Sequence, residues 1–337
     1  SRRRVTAIAV IGAGSWGTAL ANLLARRGHR VVVWAYEPEV VASINATHEN
    51  ALFLGGCPLV PELVASSDLG GVVANAEAIV LASPSHATRQ VLGRLAAALR
   101  PNPLIISATK GIETESLSLM SQLASQLLPS HRFVALSGPS FALEVYAEQP
   151  TAVVAASASG DAADAAQALF ATPTFRVYSN RDVVGTELAG SLKNVIAIAA
   201  GVLEGLGLGN NPRAALVTRG LAEMTRLGVA MGADPRTFAG LAGMGDLILT
   251  TCGALSRNRA LGVALAQGET LATHQREHRT VAEGVNTALA AVRLAARHRV
   301  DLPIEKIASQ VAEILFENKP PAQAVGELME RALKAEH

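Results

Sequence analysis

A glycine-rich run near the start of the chain has the spacing that phosphate binding requires. The run GAGSWG occupies residues 12–17, after the apolar residues 5–11 and before an apolar helical pattern. In this setting Gly12 permits a tight turn, Gly14 lets the backbone approach a pyrophosphate, and Gly17 lets the helix pack closely on the strand. No lysine follows the run, as a Walker A loop would require. The run therefore predicts a dinucleotide bound at a helix N-terminus.

A second set of reactive residue types lies in the carboxyl-terminal half of the chain. Lys193 interrupts an apolar helical pattern, and its ammonium needs a partner or a cavity because burying it alone is costly. Asp246 follows two glycines and is expected on a turn. Ser256, Arg257 and Asn258 form a predicted helix start, which suits a phosphate group. The alternatives are a lysine that extends into solvent and a solvated helix start.

These residues need a scaffold, and the first part of the sequence predicts a parallel sheet. Short apolar or β-branched runs alternate with helical patterns up to about Asn180. The predicted strands are residues 5–11, 30–35, 78–82, 104–108, 133–137, 152–156 and 175–179. Several end at small or polar residues, and ligands bind at such carboxyl ends. The predicted fold class is α/β, with a Rossmann-type, doubly wound, mainly parallel sheet.

The pattern changes after Asn180. From Asp182 to about Lys334 it is helical and rich in alanine, leucine and glycine. A chain of 337 residues is also long for one hydrophobic core. We therefore expect an NAD(P)-binding, Rossmann-like domain at 1–183 and an all-helical, carboxyl-terminal substrate domain at 184–337.

Composition narrows the classes of partner. Lys and Arg total 29 against 28 Asp and Glu, so no broad basic field attracts a nucleic acid. Cys57 and Cys252 lack the spacing of a disulfide framework. The basic residues 2–4 and the apolar residues 5–11 lead straight into the glycine run, so we interpret them as a strand and not as a secretory signal. No apolar run approaches the ~20 residues that cross a bilayer. We expect a cytoplasmic chain that is not membrane-embedded and binds no nucleic acid.

The end of the second predicted strand leaves the choice between NAD and NADP open. An acidic residue there normally binds the adenosine ribose and repels a 2′-phosphate. Here the strand leads into Ala35 and Tyr36, and Glu37 is more simply a residue of the next helix. The sequence therefore tolerates NADP, although no arginine nearby selects it.

One motif typical of metal sites is discounted. The run HQREH at residues 274–278 matches the H-x-x-E-H pattern of zinc proteases. Its surroundings are polar and charged, with no apolar face to close a metal site. We expect a solvated connector and no bound metal. His86 follows a strand end, and two interpretations remain open for it: a residue at the edge of the cofactor cleft or an ordinary surface histidine.

Motifs along nearly the whole chain resemble, in order, the family of bacterial NAD(P)-dependent glycerol-3-phosphate dehydrogenases. They are the glycine run, ATKG at 108–111, SGPSFA at 137–142, KN at 193–194, TRGLAEM at 218–224, GDL at 245–247, SRN at 256–258 and VAEG at 281–284. The resemblance implies an oxidoreductase that reversibly reduces dihydroxyacetone phosphate to sn-glycerol 3-phosphate with NADH or NADPH. It also implies that the product, glycerol 3-phosphate, supplies the backbone of membrane phospholipids. The family further implies a homodimer.

The resemblance further implies a role for each matching residue. Lys193 is implied as the proton donor and acceptor at the substrate oxygen. The implied substrate-binding residues are Lys110, Gly138, Ser140, Lys193, Asp246, Ser256, Arg257 and Asn258. The implied cofactor-binding residues are Gly12, Gly14, Ser15, Trp16, Gly17, Tyr36, Lys110, Ala142, Arg257, Val281 and Glu283. Ser140 stands where threonine is common in the family, which keeps the hydroxyl group.

Two other functions share parts of this pattern. A β-hydroxyacid or ketopantoate-type reductase would keep the fold, but it would need carboxylate-binding residues and not the phosphate-binding set at 256–258. A dinucleotide-sensing regulator would usually add a basic segment for nucleic acid, and the sequence has none.

Overall fold

The computed structural model describes residues 4–99, 102–278, 282–300 and 304–329. Within them, a sheet has the strand order β3-β2-β1-β4-β5-β6-β7-β8. The strands are β1 (Ala7–Ile11), β2 (Arg30–Trp34), β3 (Val64–Ser66), β4 (Ala78–Leu81), β5 (Leu104–Ser107), β6 (Phe133–Ser137), β7 (Thr151–Ala156) and β8 (Phe175–Asn180). Neighbours are parallel except β6 and β7, which are antiparallel. The first six strands have the order of a doubly wound dinucleotide-binding sheet, so the predicted fold class is confirmed.

Helices connect the strands and form the carboxyl-terminal part of the chain. Those before β8 are α1 (Ser15–Arg26), α2 (Pro38–Thr47), α3 (Leu69–Val73), α4 (Thr88–Ala96), α5 (Met120–Leu127), α6 (Ala142–Tyr146) and α7 (Gly160–Phe170). Those after it are α8 (Val183–Gly205), α9 (Asn210–Ala230), α10 (Pro235–Phe238), α11 (Asp246–Cys252), α12 (Arg257–Ala266), α13 (Leu271–Glu277), α14 (Gly284–Arg297), α15 (Ile304–Phe316) and α16 (Pro321–Met329). Among the described residues no strand follows β8, as the sequence predicts.

The chain folds as two compact units. The first consists of Ser1–Glu113 and Ser118–Glu187, and the second of Thr114–Leu117 and Leu188–His337. The short segment Thr114–Leu117 therefore belongs with the helical unit, although it lies far from it in sequence. Arg293 and Arg297 of α14 account for this, because they donate hydrogen bonds to the carbonyl oxygens of Thr114 and Ser116 at 3.2 and 3.1 Å.

The central strands of the first unit are apolar on both faces. All residues of β4 and β5 are buried, and most are Val, Ile or Leu. This composition is typical of a parallel strand that is covered by helices on both sides. Val80 and Ile106 pack on one face with Leu20 of α1, while Ile79 and Ile105 pack on the other face with the helices that follow β4 and β5. The alternation thus places α1 and the glycine run against one defined face of the sheet.

The strand prediction differs from the structure by more than one residue in two places. β3 was not expected, because it has only three residues, lies at the edge of the sheet and directly follows a proline-containing loop. β1 begins at Ala7, two positions later than the apolar run suggested. Both differences reflect contacts with neighbouring strands that a local pattern does not contain.

From Leu188 onward, helix α8 is a buried helix of the second unit. Its glycines allow backbones to touch: a Cβ added at Gly201 would lie 2.0 Å from the Arg259 carbonyl oxygen, and one at Gly262 would lie 2.0 Å from that of Ile198. Among the described residues, α8 is the single unbroken helix long and apolar enough to cross a membrane, and 83% of that apolar window is buried inside the fold. Close packing of protein on protein accounts for its apolar composition.

Candidate active site

The glycine run has the backbone geometry that its spacing predicts. Gly12 has a φ of +113°, and a Cβ there would lie 2.7 Å from backbone atoms of Ala82 and Ser83. A Cβ at Gly17 would lie 2.0 Å from the Gly12 carbonyl oxygen, whereas one at Gly14 would meet nothing within 4 Å. Two of the three glycines are thus required for close packing of the turn, and the third leaves open space beside it.

That open space lies at the start of a helix. α1 begins at Ser15 with Gly14 as its N-cap, and among the described residues no side chain caps it. The first N–H groups of a helix lack partners within the helix and carry partial positive charge. Exposed amides together with a bare glycine fit the pyrophosphate of a dinucleotide. The residues present therefore suit an NAD(P) molecule.

The other implied cofactor residues of the first unit lie in different surroundings. Trp16 is on the first turn of α1, and Ala142 begins α6; both pack with Tyr146 against a small cluster of Ala19, Leu54 and Cys57. Tyr36 lies just after β2 and is 78% exposed, with its ring 6.5 Å from that of Trp34. Tyr36 is therefore exposed enough to meet a ligand, while Trp16 and Ala142 are partly buried against this cluster.

Lys110, Gly138 and Ser140 come together at the carboxyl ends of β5 and β6. The Gly138 carbonyl oxygen accepts hydrogen bonds from Lys110 Nζ and from Ser140 Oγ, both at 2.9 Å. Gly138 has a φ of +134°, and a Cβ there would lie 2.9 Å from the Cα of Val153. Only glycine suits this bend, which brings an ammonium and a hydroxyl group to one carbonyl.

Lys193 is the centre of a buried polar cluster in the second unit. It is 7% exposed, and its Nζ donates to Asp246 Oδ1 and to Thr250 Oγ1, both at 2.7 Å. The Thr250 hydroxyl also lies 2.7 Å from the backbone oxygen of Asp246. The interpretation of Lys193 as a lysine that extends into solvent is therefore wrong. An ammonium held by a carboxylate and a hydroxyl in the interior is a candidate proton donor.

The position of Asp246 corrects a second expectation. The residues before it, Leu241–Gly245, form a π-helical turn, and Asp246 is the first residue of α11 and 1% exposed. The π-helical turn continues directly into α11, so the Asp246 carboxylate lies within a continuous helical segment and not on a glycine turn. The two glycines of this segment, Gly243 and Gly245, suggested a turn because glycine is a poor helix former. Close packing overrides that tendency, since a Cβ at Gly243 would lie 2.0 Å from the Phe238 carbonyl oxygen.

Thr250 is a site residue that the sequence did not single out. It lies one helical turn after Asp246, so both side chains share a face of α11. Had the sequence been interpreted as a helix from Asp246 onward, the four-residue spacing would have placed Thr250 beside Asp246. Asn194, which follows Lys193, was likewise recognised only as part of a motif, and its Oδ1 accepts from Asn258 Nδ2 at 3.1 Å.

The run at 256–258 forms the predicted helix start. Ser256 is the N-cap of α12, and its Oγ accepts from the N–H of Arg259 at 3.2 Å. Asn258 Oδ1 accepts from the N–H of Gly284 at 2.9 Å, which ties the starts of α12 and α14 together. Of these residues, Asn258 contacts α8 directly, because it donates to Asn194, the residue that follows Lys193.

Arg257 and Glu283 are the charged residues at these two helix starts. The Arg257 side chain remains accessible to solvent, yet the surrounding protein partly desolvates it and lowers its pKa, while the Glu283 carboxylate acts in the opposite direction. Glu283 precedes α14 as its N-cap residue. Arg257 therefore offers a cation that solvent and an incoming anion can reach. Val281, the remaining implied cofactor residue, lies outside the described residues.

The H-x-x-E-H run occupies the end of α13, in which no residue is buried, and its last histidine, His278, is the C-cap. The rings of His274 and His278 stack 4.1 Å apart, and His274 Nδ1 lies 3.3 Å from Glu269 Oε1. Across the part of the chain that the structure describes, no group of three or more His, Cys, Asp or Glu residues could hold a metal ion.

A further buried carboxylate lies at the start of α8. Glu187 accepts hydrogen bonds from the backbone N–H of Ser121 at 2.9 Å and from the Ser121 hydroxyl. Burial raises the pKa of this carboxyl group to about 7, although the two hydrogen bonds from Ser121 favour the charged form. Both residues belong to the first unit. This acid therefore titrates near neutral pH, far from its ordinary range.

Comparison with known proteins identifies the family. Residues 7–163 match the N-terminal family described as NAD-dependent glycerol-3-phosphate dehydrogenase, and residues 182–326 match its C-terminal counterpart. A glycerol-3-phosphate dehydrogenase (NAD(P)+) of Geobacter sulfurreducens is 57% identical over 332 residues, 98% of each chain. The crystal structure of glycerol-3-phosphate dehydrogenase from Coxiella burnetii is 39% identical, with a TM-score of 0.93 over 97% of this chain and 99% of that chain.

A more distant solved structure gives the same result. The enzyme GPD1 of Saccharomyces cerevisiae, also a glycerol-3-phosphate dehydrogenase, is 28% identical, with a TM-score of 0.79 over 97% of this chain and 100% of that chain. The likeness to each of these proteins covers both the sheet and the helical part. The chain belongs to the NAD-dependent glycerol-3-phosphate dehydrogenase family.

Proposed function

We propose that this chain is an NAD(P)-dependent sn-glycerol-3-phosphate dehydrogenase, which reversibly reduces dihydroxyacetone phosphate. The observation that carries the proposal is the buried ammonium of Lys193, held at 2.7 Å by both Asp246 and Thr250. Such a group suits the protonation of a carbonyl oxygen in a reduction. The family, to which the chain belongs, supplies the identity of the substrate.

Lys193 acts as the proton donor in the direction of reduction. A bound NADH or NADPH supplies the hydride to the carbonyl carbon. As the carbonyl oxygen gathers negative charge, the Lys193 ammonium stabilises it and transfers a proton to it, which gives the hydroxyl group of the product. In the reverse direction the neutral amine accepts that proton. Asp246 and Thr250 hold Nζ in a fixed orientation, so little reorganisation accompanies the transfer.

The phosphate group of the substrate is assigned to the start of α12. Ser256, Arg257 and Asn258 combine a guanidinium group with the amides of a helix N-terminus, and Arg257 is open to solvent. In the first unit, Lys110, Gly138 and Ser140 are assigned to the substrate as well. Their shared hydrogen bonds would orient the ammonium and hydroxyl groups.

The cofactor is assigned mainly to the glycine turn. The proposed contacts are Gly12, Gly14, Ser15, Trp16, Gly17, Tyr36, Lys110, Ala142, Arg257, Val281 and Glu283. The open space beside Gly14 and the free start of α1 support the pyrophosphate assignment. Exposed Tyr36 stands where an acidic residue would reject NADP, so both nicotinamide forms are accepted.

Further parts of the proposal concern organisation. Residues 1–183 form the NAD(P)-binding domain and residues 184–337 the substrate domain, in a cytoplasmic homodimer that supplies glycerol 3-phosphate for phospholipids. The absence of a broad basic field supports a small-molecule substrate and no nucleic acid. Sedimentation at several protein concentrations measures the oligomeric state, and a monomer throughout would contradict the homodimer.

A spectrophotometric assay tests the proposed reaction. The purified chain is mixed with NADH or NADPH, and the loss of absorbance of the reduced nicotinamide is followed after addition of dihydroxyacetone phosphate. Glyoxylate and ketopantoate serve as alternative substrates, and dihydroxyacetone without phosphate tests the phosphate assignment. Of these four compounds, we expect the chain to reduce only dihydroxyacetone phosphate. Equal turnover with ketopantoate, or none with dihydroxyacetone phosphate, would reject the proposal.

A further inference from the structure

A buried asparagine outside the glycine run binds one of the carbonyl oxygens of that run. Asn50 follows α2 and is 0% exposed. Its Nδ2 donates to the Ala13 carbonyl oxygen and to Thr18 Oγ1, both at 2.8 Å. Its Oδ1 accepts from the N–H of Phe53 at 3.1 Å, which fixes the orientation of the amide group. The Thr18 hydroxyl also lies 3.3 Å from the same Ala13 oxygen.

These hydrogen bonds determine the orientation of a peptide group in the turn. The peptide between Ala13 and Gly14 is trans, so its C=O and N–H groups point in opposite directions. Asn50 and Thr18, both fully buried, hold the Ala13 carbonyl toward the protein interior. The Gly14 N–H is consequently directed away from the interior, and the space beside Gly14 is open.

We propose that Asn50 is a positioning residue for the pyrophosphate of the dinucleotide. The Asn50 amide holds the Ala13 carbonyl inward and so presents the Gly14 N–H to the phosphate oxygens. It also keeps the Ala13 carbonyl oxygen, which would repel the phosphate, away from the ligand. The inference rests on the proposed function, because it takes the ligand of the turn to be NAD(P).

A purely structural role is less consistent with the contacts of the loop that carries Asn50. That loop has other anchors: Asn22 Oδ1 accepts from the N–H of Val60 at 3.0 Å, and Tyr146 Oη donates to the Pro58 carbonyl oxygen at 2.7 Å. Both donor hydrogens of the Asn50 amide instead go to the glycine turn and to the first turn of α1. The loop is thus already anchored by other residues, whereas the Asn50 amide bonds directly to the phosphate-binding turn.

The test is the variant Asn50→Asp, which keeps the shape of the side chain but removes the donor group. A carboxylate oxygen would then face two oxygen atoms, and the turn would lose its fixed orientation. We expect the Kd of NADH, from nicotinamide fluorescence, and that of ADP-ribose, from competition, to rise about tenfold or more. Adenosine lacks the pyrophosphate, so its affinity should change less than about twofold. The KM of dihydroxyacetone phosphate should stay near its wild-type value.

Asn22→Asp is the matched control. It introduces the same charge at a buried position of α1 that contacts the same loop but not the turn. Its ADP-ribose affinity should remain within about twofold of wild type even if its melting temperature falls. Thr18→Val is the second variant, which decides the matter if Asn50→Asp does not fold. It removes one of the two groups that hold the Ala13 oxygen, and a rise of about threefold in the Kd of ADP-ribose is expected.

The outcomes separate this inference from the proposed function. If folded Asn50→Asp binds ADP-ribose as tightly as wild type, or weakens adenosine by the same factor, the positioning role is wrong. An equal loss of affinity in Asn22→Asp would also overturn it, as would unchanged affinity in Thr18→Val. A wild-type chain that binds NADH but fails to reduce dihydroxyacetone phosphate would reject the function and leave the role of Asn50 intact. Failure of wild type to bind NADH, NADPH and ADP-ribose would reject both.

Discussion

The glycine turn after β1 and the lysine cluster on α8 and α11 present positive charge in different ways. The turn uses backbone N–H groups and the absence of side chains, and it packs on neighbours in sequence and the adjacent strand end, with Asn50 holding one of its carbonyl groups. The lysine cluster uses a full charge that is buried and held by side chains 53 and 57 residues away. A turn of this kind tolerates solvent, whereas a buried ammonium depends on each of its partners.

The largest expected effect comes from removing the lysine charge. Lys193→Ala should lower kcat roughly 10³-fold, because general acid catalysis contributes about 10² to 10⁴. The Kd of NADH should remain near that of wild type, since the glycine turn is untouched. Stopped-flow turnover and fluorescence titration measure the two quantities. Near-normal turnover would remove Lys193 from the proposed mechanism.

A stability control accompanies this variant. Lys193→Ala leaves the Asp246 carboxylate buried without its ammonium partner, which costs about 3–5 kcal/mol. The double variant Lys193→Ala with Asp246→Asn should recover part of the unfolding free energy but none of the turnover. Recovery of turnover in the double variant would contradict a direct role for the lysine.

Glu187 is a second buried ionisable residue, and unlike Lys193 it lies in surroundings that favour its neutral form. Its pKa in the folded state is raised from 4.5 to about 7, so the folded state favours the protonated form. Its contribution to the unfolding free energy is fully present below pH 4.5 and is lost as the pH rises through about 7, a change of about 3 kcal/mol. Glu187→Gln should therefore gain stability relative to wild type across this interval.

Denaturant unfolding of both proteins between pH 4 and about 8 measures this difference. Glu204→Gln is the control with the opposite sign, because hydrogen bonding to Arg259 lowers the pKa of Glu204. The contribution of Glu204 is present above pH 4.5 and is lost only as the pH falls below it, so the difference between this variant and wild type should stay constant from about pH 5 to 8. A constant difference between Glu187→Gln and wild type would show that Glu187 does not titrate in this range.

Arg257 tests whether an exposed cation contributes less than the buried one. Arg257→Ala should raise the KM of dihydroxyacetone phosphate about 10- to 100-fold, because a charge-assisted contact to the phosphate is lost. kcat at saturation should change less. Arg236→Ala, which removes an exposed arginine paired with Asp234 in the same unit, should leave both constants unchanged. An unchanged KM in Arg257→Ala would remove this residue from the phosphate site.

The smallest expected effect is on the turn itself. Gly14 has an extended backbone that alanine adopts, and an added Cβ would meet nothing within 4 Å. Gly14→Ala should therefore fold as stably as wild type while the Kd of NADH rises about tenfold, since the methyl group occupies the approach of the pyrophosphate. Gly17→Ala should instead lower the melting temperature, because its Cβ would overlap the Gly12 oxygen. If both variants melt alike, the assigned division of roles is incorrect.

The two sites also differ in how far the sequence predicts them. The fold class, most strands and the glycine turn follow from local patterns, because the φ of Gly12 and the packing of Gly17 are requirements of a few adjacent residues. The environment of Lys193 does not. Its partner Thr250 was missed, and Asp246 was expected on a turn, because tertiary packing forces a glycine-rich segment into helical form. β3 was missed for a similar reason, since pairing with β2 stabilises a strand that is too short to produce a pattern.

The short segment Thr114–Leu117 has a consequence for domain exchange between relatives. It lies within the sequence of the sheet unit but belongs to the helical unit, where Arg293 and Arg297 bind its carbonyl groups. A chimera joined once near Glu187 would therefore combine α14 from one parent with this segment from the other. With a single junction at that point, α14 fits the segment of the other parent only if both parents share the same backbone path at Thr114–Leu117. A successful shuffling library would need three crossovers, and the segment would travel with the carboxyl-terminal parent.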